Sequence, residues 1–489
     1  MYTKKTTGFL SRFELQGGHS YQNFVNKGYK DIFQYNSISG IREVTPNPQN
    51  PTNEYYNILV NEGYFGRSNI DLANKYLFTF SMRADASSLF SKDNRWGYFP
   101  AAAFAWKLSD ESFLKNNTVI SDIKLRLGWG ITGNNNITSI AGVGYYPSSA
   151  LFVAGNASGQ YLPRVNTYSA LAFNPNLTWE KTTTTNLGLD FDILKSKAIT
   201  ASIDVYNKKT TDLFARVPVP PGQALTNFLT TNVGSMTSKG VEVSATVRVI
   251  QTKDLTFSIN GNMAYNKSQI DDLKGIKAVQ NDASGLPGIG KKIAYDVVGE
   301  QPYSAWVFEQ QYNTDGTPSN SVVDRNGDGV IDDNDRYYVA IRPNWTFGFG
   351  TSINYKNFDL TASFRGQAGG KIYNSRNLVL GNVAQGLALD GNSFNNVLSG
   401  NLPFTNNNGN TTFSDYFLEN ASFIRCENIT LGYKFNKLIK ASSLRLYVAV
   451  NNAFIITKYT GQDPENFNGI DNNFYPRPRV ISAGFNFDF

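Results

Sequence analysis

Apolar and polar residues alternate with a period of two along much of the chain. In the last segment the apolar face comprises Ile481, Ala483, Phe485, Phe487 and Phe489, separated by small or polar residues. The same alternation recurs in segments 76–82, 123–131, 187–193, 199–205, 241–249, 255–259, 347–355, 358–364 and 444–450. The pattern predicts an all-β chain whose strands each have one apolar and one polar face.

The connections between these segments are alternately short and long. Short turns are expected at 195–197, 251–254 and 356–357, and long polar excursions at 134–180, 209–236, 267–343, 368–421 and 453–478. Short turns on one rim and long loops on the other are typical of an outer-membrane barrel, whereas such long loops count against a soluble sandwich. The sequence therefore predicts a transmembrane antiparallel β-barrel wall of about fourteen strands in the cell outer membrane.

Composition agrees with a barrel and removes other classes of protein. Of the 489 residues, 14% are aromatic and only 17% are charged, which is a low charge density for a soluble protein. The net charge is +6, but lysines and arginines are scattered without a basic run, so no nucleic-acid binding is expected. The single cysteine, Cys426, and the single histidine, His19, permit neither an intrachain disulfide nor a Cys/His zinc site.

The N-terminal region raises a question about export. The chain contains no continuous apolar run of about 18 residues, the length that a membrane-spanning helix needs. Residues 1–7 also lack the apolar core of a signal peptide, although an outer-membrane barrel must be exported. We therefore expect the C-terminal part of a longer protein, with residues 1–54 as an N-terminal strand and extracellular loop and residues 55–489 as the C-terminal barrel portion.

The strongest local motif is a calcium-type loop at 324–335. It places oxygen-bearing side chains at positions 1, 3, 5, 9 and 12, with glycine at position 6 and a backbone carbonyl at position 7. The expected ligands are Asp324, Asn326, Asp328, Val330 through its carbonyl, Asp332 and Asp335. Aspartate replaces the usual glutamate at position 12 and no helical pattern flanks the loop, so an Asx-rich turn without metal is the alternative. Ca²⁺ would have a structural role here, ordering an extracellular loop.

No catalytic site is expected. One histidine excludes any site that requires two, and His19 follows Gly17 and Gly18 in a polar stretch where we expect an exposed loop. A carboxylate pair for glycoside hydrolysis stays open, because the separation of two carboxylates is a three-dimensional quantity. Loop aromatics are expected either to stack on sugars or a partner, or to pack in the loops and the membrane belt; these are Tyr145, Tyr146, Trp306, Tyr312 and Tyr416.

Several motifs in one order resemble the C-terminal part of SusC/RagA-type TonB-linked outer-membrane transporters. They include Asn176-Leu-Thr-Trp-Glu-Lys-Thr182 and Ser238-Lys-Gly-Val-Glu-Val243. The other matching stretches are 80–90, 95–100, 124–134, 324–336, 423–433 and 446–453. The resemblance extends over nearly the whole chain from about residue 55 onward.

The resemblance implies a barrel of about 22 strands closed by an internal plug. A SusD-like surface lipoprotein would cap the barrel and capture a glycan or peptide substrate, and TonB would supply energy through an N-terminal segment. This sequence shows neither a TonB-interacting segment nor a plug, so the expected role is that of the C-terminal wall of a nutrient (oligosaccharide or peptide) importer in outer-membrane lipid. A self-sufficient smaller barrel that acts as a passive porin or an adhesion scaffold is the alternative.

Overall fold

A computed structural model describes most of the chain. The described residues are 2–5, 8–29, 33–35, 42–44, 54–115, 117–140, 144–154, 168–170, 173–194, 197–220, 228–280, 292–380, 411–436, 442–466, 469–471 and 475–488. Phe489, placed on the last apolar face by the sequence, lies outside them. No helix in this part of the chain is long and apolar enough to cross a membrane.

One antiparallel sheet of fifteen strands dominates the fold, and its strands follow each other in the sheet in the order in which they occur in the sequence. Numbered along the chain together with the shorter loop strands, they are β1 (Tyr2–Lys5), β2 (Leu10–Tyr29), β5 (Glu54–Leu72), β6 (Tyr76–Ser87), β7 (Trp96–Lys107), β8 (Ile120–Asn134), β11 (Glu180–Ile193), β12 (Ile199–Thr211), β15 (Ser235–Gln251), β16 (Leu255–Asp272), β23 (Trp345–Tyr355), β24 (Phe358–Ala368), β27 (Phe423–Asn436), β28 (Ser443–Thr457) and β29 (Val480–Asp488). The sheet has one strand more than the approximate count from the sequence, and four-residue β1 is the shortest of them.

The outward face of the sheet is apolar, because the strand registers place apolar residues side by side. Leu187 of β11 pairs with Leu127 of β8 and with Val205 of β12, and Val205 pairs in turn with Val241 of β15. Leu187 is 48% exposed and Val205 is 46% exposed, which a soluble protein would avoid over so wide a surface. Bilayer hydrocarbon covers such a surface in a membrane barrel.

The opposite face of the same strands is polar and charged. At positions that alternate with the apolar residues it carries Lys124, Arg126, Asp190, Asp204 and Glu242. Polar side chains on this face line the lumen of a large barrel. The alternation confirms the predicted barrel wall.

Aromatic side chains border the apolar surface at both ends of the strands. Near one rim the rings of Tyr76 and Trp106 lie 6.1 Å apart, and near the other those of Tyr265 and Trp345 lie 4.8 Å apart. Tyrosine and tryptophan are enriched at both membrane interfaces, because each has an apolar ring and a polar group. The two aromatic bands therefore mark the limits of the membrane-spanning region.

The two rims differ as predicted. On one rim only residues 356–357 join β23 to β24, whereas on the other rim residues 273–344 and 369–422 form long excursions. Some strands extend into the ranges expected to be loop, because the paired backbone continues past the apolar alternation; β16, for example, ends at Asp272. Within the described residues β1 and β29 do not pair with each other, so the sheet is open between them.

The long excursions contain short strands and turns of their own. The small sheets are β3 (Phe33–Tyr35) with β4 (Arg42–Val44), β9 (Phe152–Ala154) with β10 (Tyr168–Ala170), β13 (Phe214–Pro218) with β14 (Phe228–Asn232), the series β17 (Ala278–Gln280), β18 (Ala294–Val297), β19 (Ser304–Val307) and β22 (Tyr337–Val339), β20 (Gln310–Tyr312) with β21 (Pro318–Val322), and β25 (Lys371–Tyr373) with β26 (Leu418–Asn420). In the described parts of these excursions the helical segments are α1 (Ser375–Leu380) and the 3₁₀ turns Ile137–Ser139, Asp333–Asp335, Thr411–Phe413 and Asp415–Phe417. A further 3₁₀ turn, Leu108–Asp110, follows β7 on the opposite rim.

A buried apolar cluster joins three of the excursions. It includes Phe308, Tyr373, Phe417 and Ile470, each at most 2% exposed. Isolated bridges connect Phe308 with Ser414 and Tyr373 with Ile470. We refer to residues 292–341, 372–380, 411–418 and 469–471, which surround this cluster on the extracellular rim, as the loop head.

Candidate functional site

The predicted calcium loop lies in the loop head, between β21 and β22. Asp324 accepts hydrogen bonds from two backbone N–H groups of its own loop, from Gly327 to Oδ1 at 2.7 Å and from Gly329 to Oδ2 at 2.8 Å. Both glycines have positive φ, 74° and 82°, which residues with a Cβ adopt only with strain. The first half of the loop is therefore a tight turn stabilised by Asp324, as expected both for a calcium loop and for an Asx-rich turn without metal.

Asp335 anchors the second half of the loop. Its side chain is fully buried, and it accepts hydrogen bonds from the N–H groups of Arg325 at 2.8 Å, Asn326 at 3.1 Å and Asp332 at 3.0 Å. Asp332 and Asp335 also form a reciprocal capping pair around the 3₁₀ turn at Asp333–Asp335. The bond from Asp332, followed by those from Asn326 and Arg325, holds the pKa of Asp335 below its usual value.

The structure brings the predicted ligands into one loop without gathering their carboxylates around a point. Asn326 Nδ2 donates to Asp328 Oδ2 at 2.9 Å, and Asp328 Oδ1 accepts from the N–H of Val330 at 2.8 Å. Among the described residues no group of three or more His, Cys, Asp or Glu side chains is placed to hold a metal. The donors have the oxygen chemistry that calcium prefers, and each carboxylate keeps lone pairs that its hydrogen bonds to amide groups do not use. The calcium site stays a prediction.

The residue after the loop connects it to the rest of the loop head. The Arg336 guanidinium lies over the rings of Trp306 at 4.6 Å, Phe308 at 4.6 Å and Phe413 at 4.0 Å. Burial lowers the pKa of Arg336. Cation–π contacts of this kind strengthen when the cation is desolvated. Sequence analysis missed Arg336, because Phe413 is far from it along the chain and only the fold brings the two together.

A second contact links the same two segments. The Tyr337 hydroxyl donates to Asp415 Oδ2 at 2.6 Å, and Asp415 Oδ1 accepts from the backbone N–H of Gln310 at 2.9 Å. Burial and the bond to Asp415 raise the pKa of Tyr337. Residues 325–337 and 411–417 are therefore held as one unit on the extracellular rim.

The lumen face carries ion pairs that cross strands. Arg126 of β8 bonds Asp190 of β11 at 2.7 Å and reaches Asp204 of β12 at 2.8 Å. The Arg126 side chain can cross β11 to Asp204 because residue 188, which lies between the two, is glycine. A Cβ on residue 188 would lie 2.6 Å from both the Arg126 guanidinium carbon and Asp204 Oδ1. These carboxylates therefore have a structural partner, and nothing in their contacts indicates hydrolysis.

A larger charged group fixes the last extracellular excursion to the inner wall. Arg425 of β27 bonds Asp463 at 2.7 Å, and both side chains are 4% exposed. Glu465, two residues further along, bonds Arg477 at 2.6 Å and also pairs with Arg365 of β24. The sequence showed these charges but not their grouping, because they come from strands and loops far apart along the chain.

His19 lies on a strand rather than in the predicted loop. It belongs to β2, which continues through the polar stretch because it pairs with β5 from Leu10 to Tyr29. Its Nε2 lies 3.1 Å from Glu62 Oε1, and Tyr64 also bonds this carboxylate at 2.9 Å. The imidazole is about half exposed, as expected, but the expectation of a loop was wrong.

The loop aromatics mainly pack against protein. The hydroxyls of Tyr145 and Tyr146 accept hydrogen bonds from β2 and β5. Trp306 contacts Arg336 as described, and Tyr416 packs edge-to-face on the neighbouring ring. Tyr312 remains 55% exposed. A loop-packing role therefore accounts for four of the five.

Comparison with known proteins agrees with this geometry. Residues 1–453 match the family model for the TonB dependent receptor-like β-barrel. The chain is 39% identical to the TonB-dependent receptor SusC of Bacteroides thetaiotaomicron over 98% of its length and 48% of that protein. It is 31% identical to the TonB-dependent receptor P3 of Formosa agariphila, over 97% of its length and 50% of that protein.

Solved structures show the same fold. The RagAB peptide transporter structure matches 99% of this chain and 54% of its own chain, with a TM-score of 0.78 and 23% identity. The chain thus spans about half the length of the relatives that it matches. It belongs to the TonB-dependent receptor-like β-barrel family of the outer membrane, and the resemblance to SusC/RagA transporters that its motifs predicted is confirmed.

Proposed function

We propose that this chain forms the C-terminal wall of a TonB-driven importer that takes up oligosaccharides or peptides across the outer membrane. The observation that carries the proposal is the combined architecture: an apolar outer face, a charged lumen face and a packed loop head on the long-loop rim. The similarity to SusC over nearly the whole chain supports it. The family consists of transporters and receptors, so we propose no enzymatic activity.

We propose further that a SusD-like lipoprotein sits on the loop head and delivers substrate to the lumen. The head is held together by contacts between excursions distant along the chain, such as Tyr337 to Asp415. A preorganised surface binds a partner at lower entropic cost than separate mobile loops. We expect TonB to supply the energy through a segment outside the barrel wall.

In this proposal the calcium-type loop stabilises the loop head. We propose that Ca²⁺ is held by the side chains of Asp324, Asn326, Asp328, Asp332 and Asp335 and by the carbonyl of Val330. Its role would be structural, since it would fix the segment that leads directly into Arg336 and Tyr337. The oxygen-only donor set is of the type that calcium prefers over transition metals.

The experiment that tests import uses cells of the source organism with and without the gene. Loss of the gene should abolish saturable uptake of labelled oligosaccharides or oligopeptides, and collapse of the proton-motive force in wild-type cells should do the same. A passive porin, the alternative, would keep passing substrate after the collapse. Uptake that survives both treatments would contradict the proposed importer.

A further inference from the structure

A line of lysines crosses the outward face of the wall just beyond the extracellular aromatic band. Four adjacent strands contribute one each, namely Lys181 of β11, Lys209 of β12, Lys239 of β15 and Lys267 of β16. Side chains alternate between the two faces along a strand, so residues separated by an even number of positions lie on the same face. Each of these lysines is an even number of positions from the apolar residues of its strand and therefore lies on the apolar face. Lys239, for example, is two residues from Val241, and Lys267 is two residues from Tyr265.

The strand registers place these charges next to each other. Lys239 pairs directly with Lys267, and Lys209 lies two residues further toward the extracellular rim than Asn207, the partner of Lys239. Directly opposed like charges destabilise a sheet, because their Cβ atoms are only about 5 Å apart. An anion bound beside the two lysines would offset this repulsion.

The described protein does not provide that anion. In the described residues no ion pair or hydrogen bond engages the side chain of any of the four lysines, and Lys209, Lys239 and Lys267 are exposed. Asp271, further along β16, accepts a hydrogen bond from the Thr237 hydroxyl at 2.6 Å instead. Within the part of the chain that the structure describes, the line is thus a row of cations without a protein counter-charge.

The position of the line indicates where the anion comes from. Immediately below Lys267 toward the bilayer, the ring of Tyr265 packs against that of Trp345 at a tilt of 50°, with the ring centroids 4.8 Å apart. Such rings lie at the level of lipid headgroups, and lysine side chains beside them extend their ammonium groups to the polar interface. The same face below is apolar and covered by acyl chains.

We propose that this lysine line binds the phosphate groups of outer-leaflet lipid headgroups. The lipid would neutralise the Lys239–Lys267 repulsion while its acyl chains cover the apolar surface below. Each ammonium near a phosphorylated surface contributes a modest electrostatic attraction, which is additive along the row and screened by salt. The site is independent of the transport cycle proposed above.

The test measures lipid binding to the full-length protein purified in detergent. Wild-type protein and the variant Lys239→Gln with Lys267→Gln are titrated with fluorescent diphosphoryl lipid A and with its phosphate-free analogue. We expect wild-type protein to bind the diphosphoryl lipid more tightly, and the double variant to lose about fivefold in affinity per lysine. Lys208→Gln is the matched control, because Lys208 precedes Lys209 on β12 but points to the lumen, where its ammonium lies 4.4 Å from the Tyr206 ring.

Three results would overturn the proposal. One is equal affinity of wild-type protein for the two lipids, and another is an unchanged affinity of the double variant. The third is that inorganic phosphate alone binds the detergent-purified protein as tightly as diphosphoryl lipid A does, because the site would then take free phosphate. The proposal is supported if the affinity for diphosphoryl lipid A falls in the double variant and not in Lys208→Gln. Normal folding and transport in all variants are compatible with this result, because the site is independent of transport.

Discussion

Arg445 of β28 reaches across the intervening strand β27 to Asp359 of β24, and its Nε donates to Asp359 Oδ1 at 2.8 Å. The crossing occurs over Gly432. A Cβ on residue 432 would lie 2.5 Å from Asp359 Oδ1 and 2.7 Å from Arg445 Nε. Glycine in the middle of a strand normally weakens it, but here it permits an ion pair that ties three strands together on the lumen face.

Substitution Gly432→Ala should therefore destabilise the barrel. The added methyl group must displace either the Arg445 guanidinium or the Asp359 carboxylate, and overpacking of this kind costs about 1–3 kcal/mol. Urea unfolding of the protein in detergent, followed by tryptophan fluorescence, measures the change in the free energy of unfolding. Gly128→Ala is the control, because a Cβ there would meet no atom closer than 4.0 Å. Equal losses in the two variants would contradict the steric explanation.

The pair between Arg425 and Asp463 should be far more sensitive to mutation than its exposed neighbour. Both side chains are 4% exposed, so Asp463→Asn leaves a buried guanidinium with less compensation and should cost about 3 kcal/mol of unfolding free energy. The nearby pair of Arg477 with Glu465 is more exposed, and Arg477→Gln should cost less than about 1 kcal/mol. Proteolysis of residues 458–479 provides a local measurement. The prediction is wrong if both variants are cleaved at the same rate.

The wall could be predicted from the sequence because one physical rule governs it. Lipid on one side and a wet lumen on the other impose the period of two, and Leu187 with Val205 show this pattern without any knowledge of the partner strand. The strand at His19 was not predicted, because the rule needs an apolar alternation and this stretch lacks one. His19 lies in the middle of β2, in a polar stretch without a clear apolar alternation, and backbone pairing with β5 continues through this stretch where the sequence signal does not.

The loop head and the glycine crossings could not be predicted in this way. The need for glycine at residue 432 can be recognised only once Arg445 and Asp359 are known to lie on the two sides of its strand. The contact of Gln310 with Asp415 joins residues 105 apart in sequence. Such contacts depend on how loops fold over the rim, and no local periodicity encodes them. The calcium motif was visible because its spacing is local, and for the same reason the sequence did not reveal the contacts of Arg336.

Asp335 should make the loop sensitive to acid. Hydrogen bonds to the ionised carboxylate lower its folded pKa below the unfolded value, so its stabilising contribution is present above about pH 4 and is lost as the pH falls through the lower folded pKa. Hydrogen exchange, corrected for the intrinsic rate, should show weaker protection of the Arg325 and Asn326 amides at about pH 3 than at about pH 6. Asp335→Asn should reduce protection at neutral pH and remove this pH dependence. Constant protection in wild-type protein would refute the role of Asp335.

Calcium should protect the excursion at 267–343 against protease, and Asp324→Ala with Asp328→Ala should abolish that protection. An ion that binds only the ordered loop stabilises it in proportion to the logarithm of its concentration. Asp324 also holds the N–H groups of Gly327 and Gly329, so the double variant will be cleaved faster even without calcium. The informative quantity is therefore the difference between cleavage rates with and without calcium.

Asp315→Ala is the matched control for this experiment. Asp315 accepts the N–H of Thr317 at 2.9 Å in a turn of the same excursion, outside the calcium-type motif. Its loss should loosen the turn while the calcium-dependent difference persists, because the proposed ligands are intact. If calcium leaves the cleavage rate of wild-type protein unchanged, the hydrogen bonds of Asp324, Asp328 and Asp335 to backbone amides are sufficient to order the loop, and the motif is an Asx-rich turn without metal.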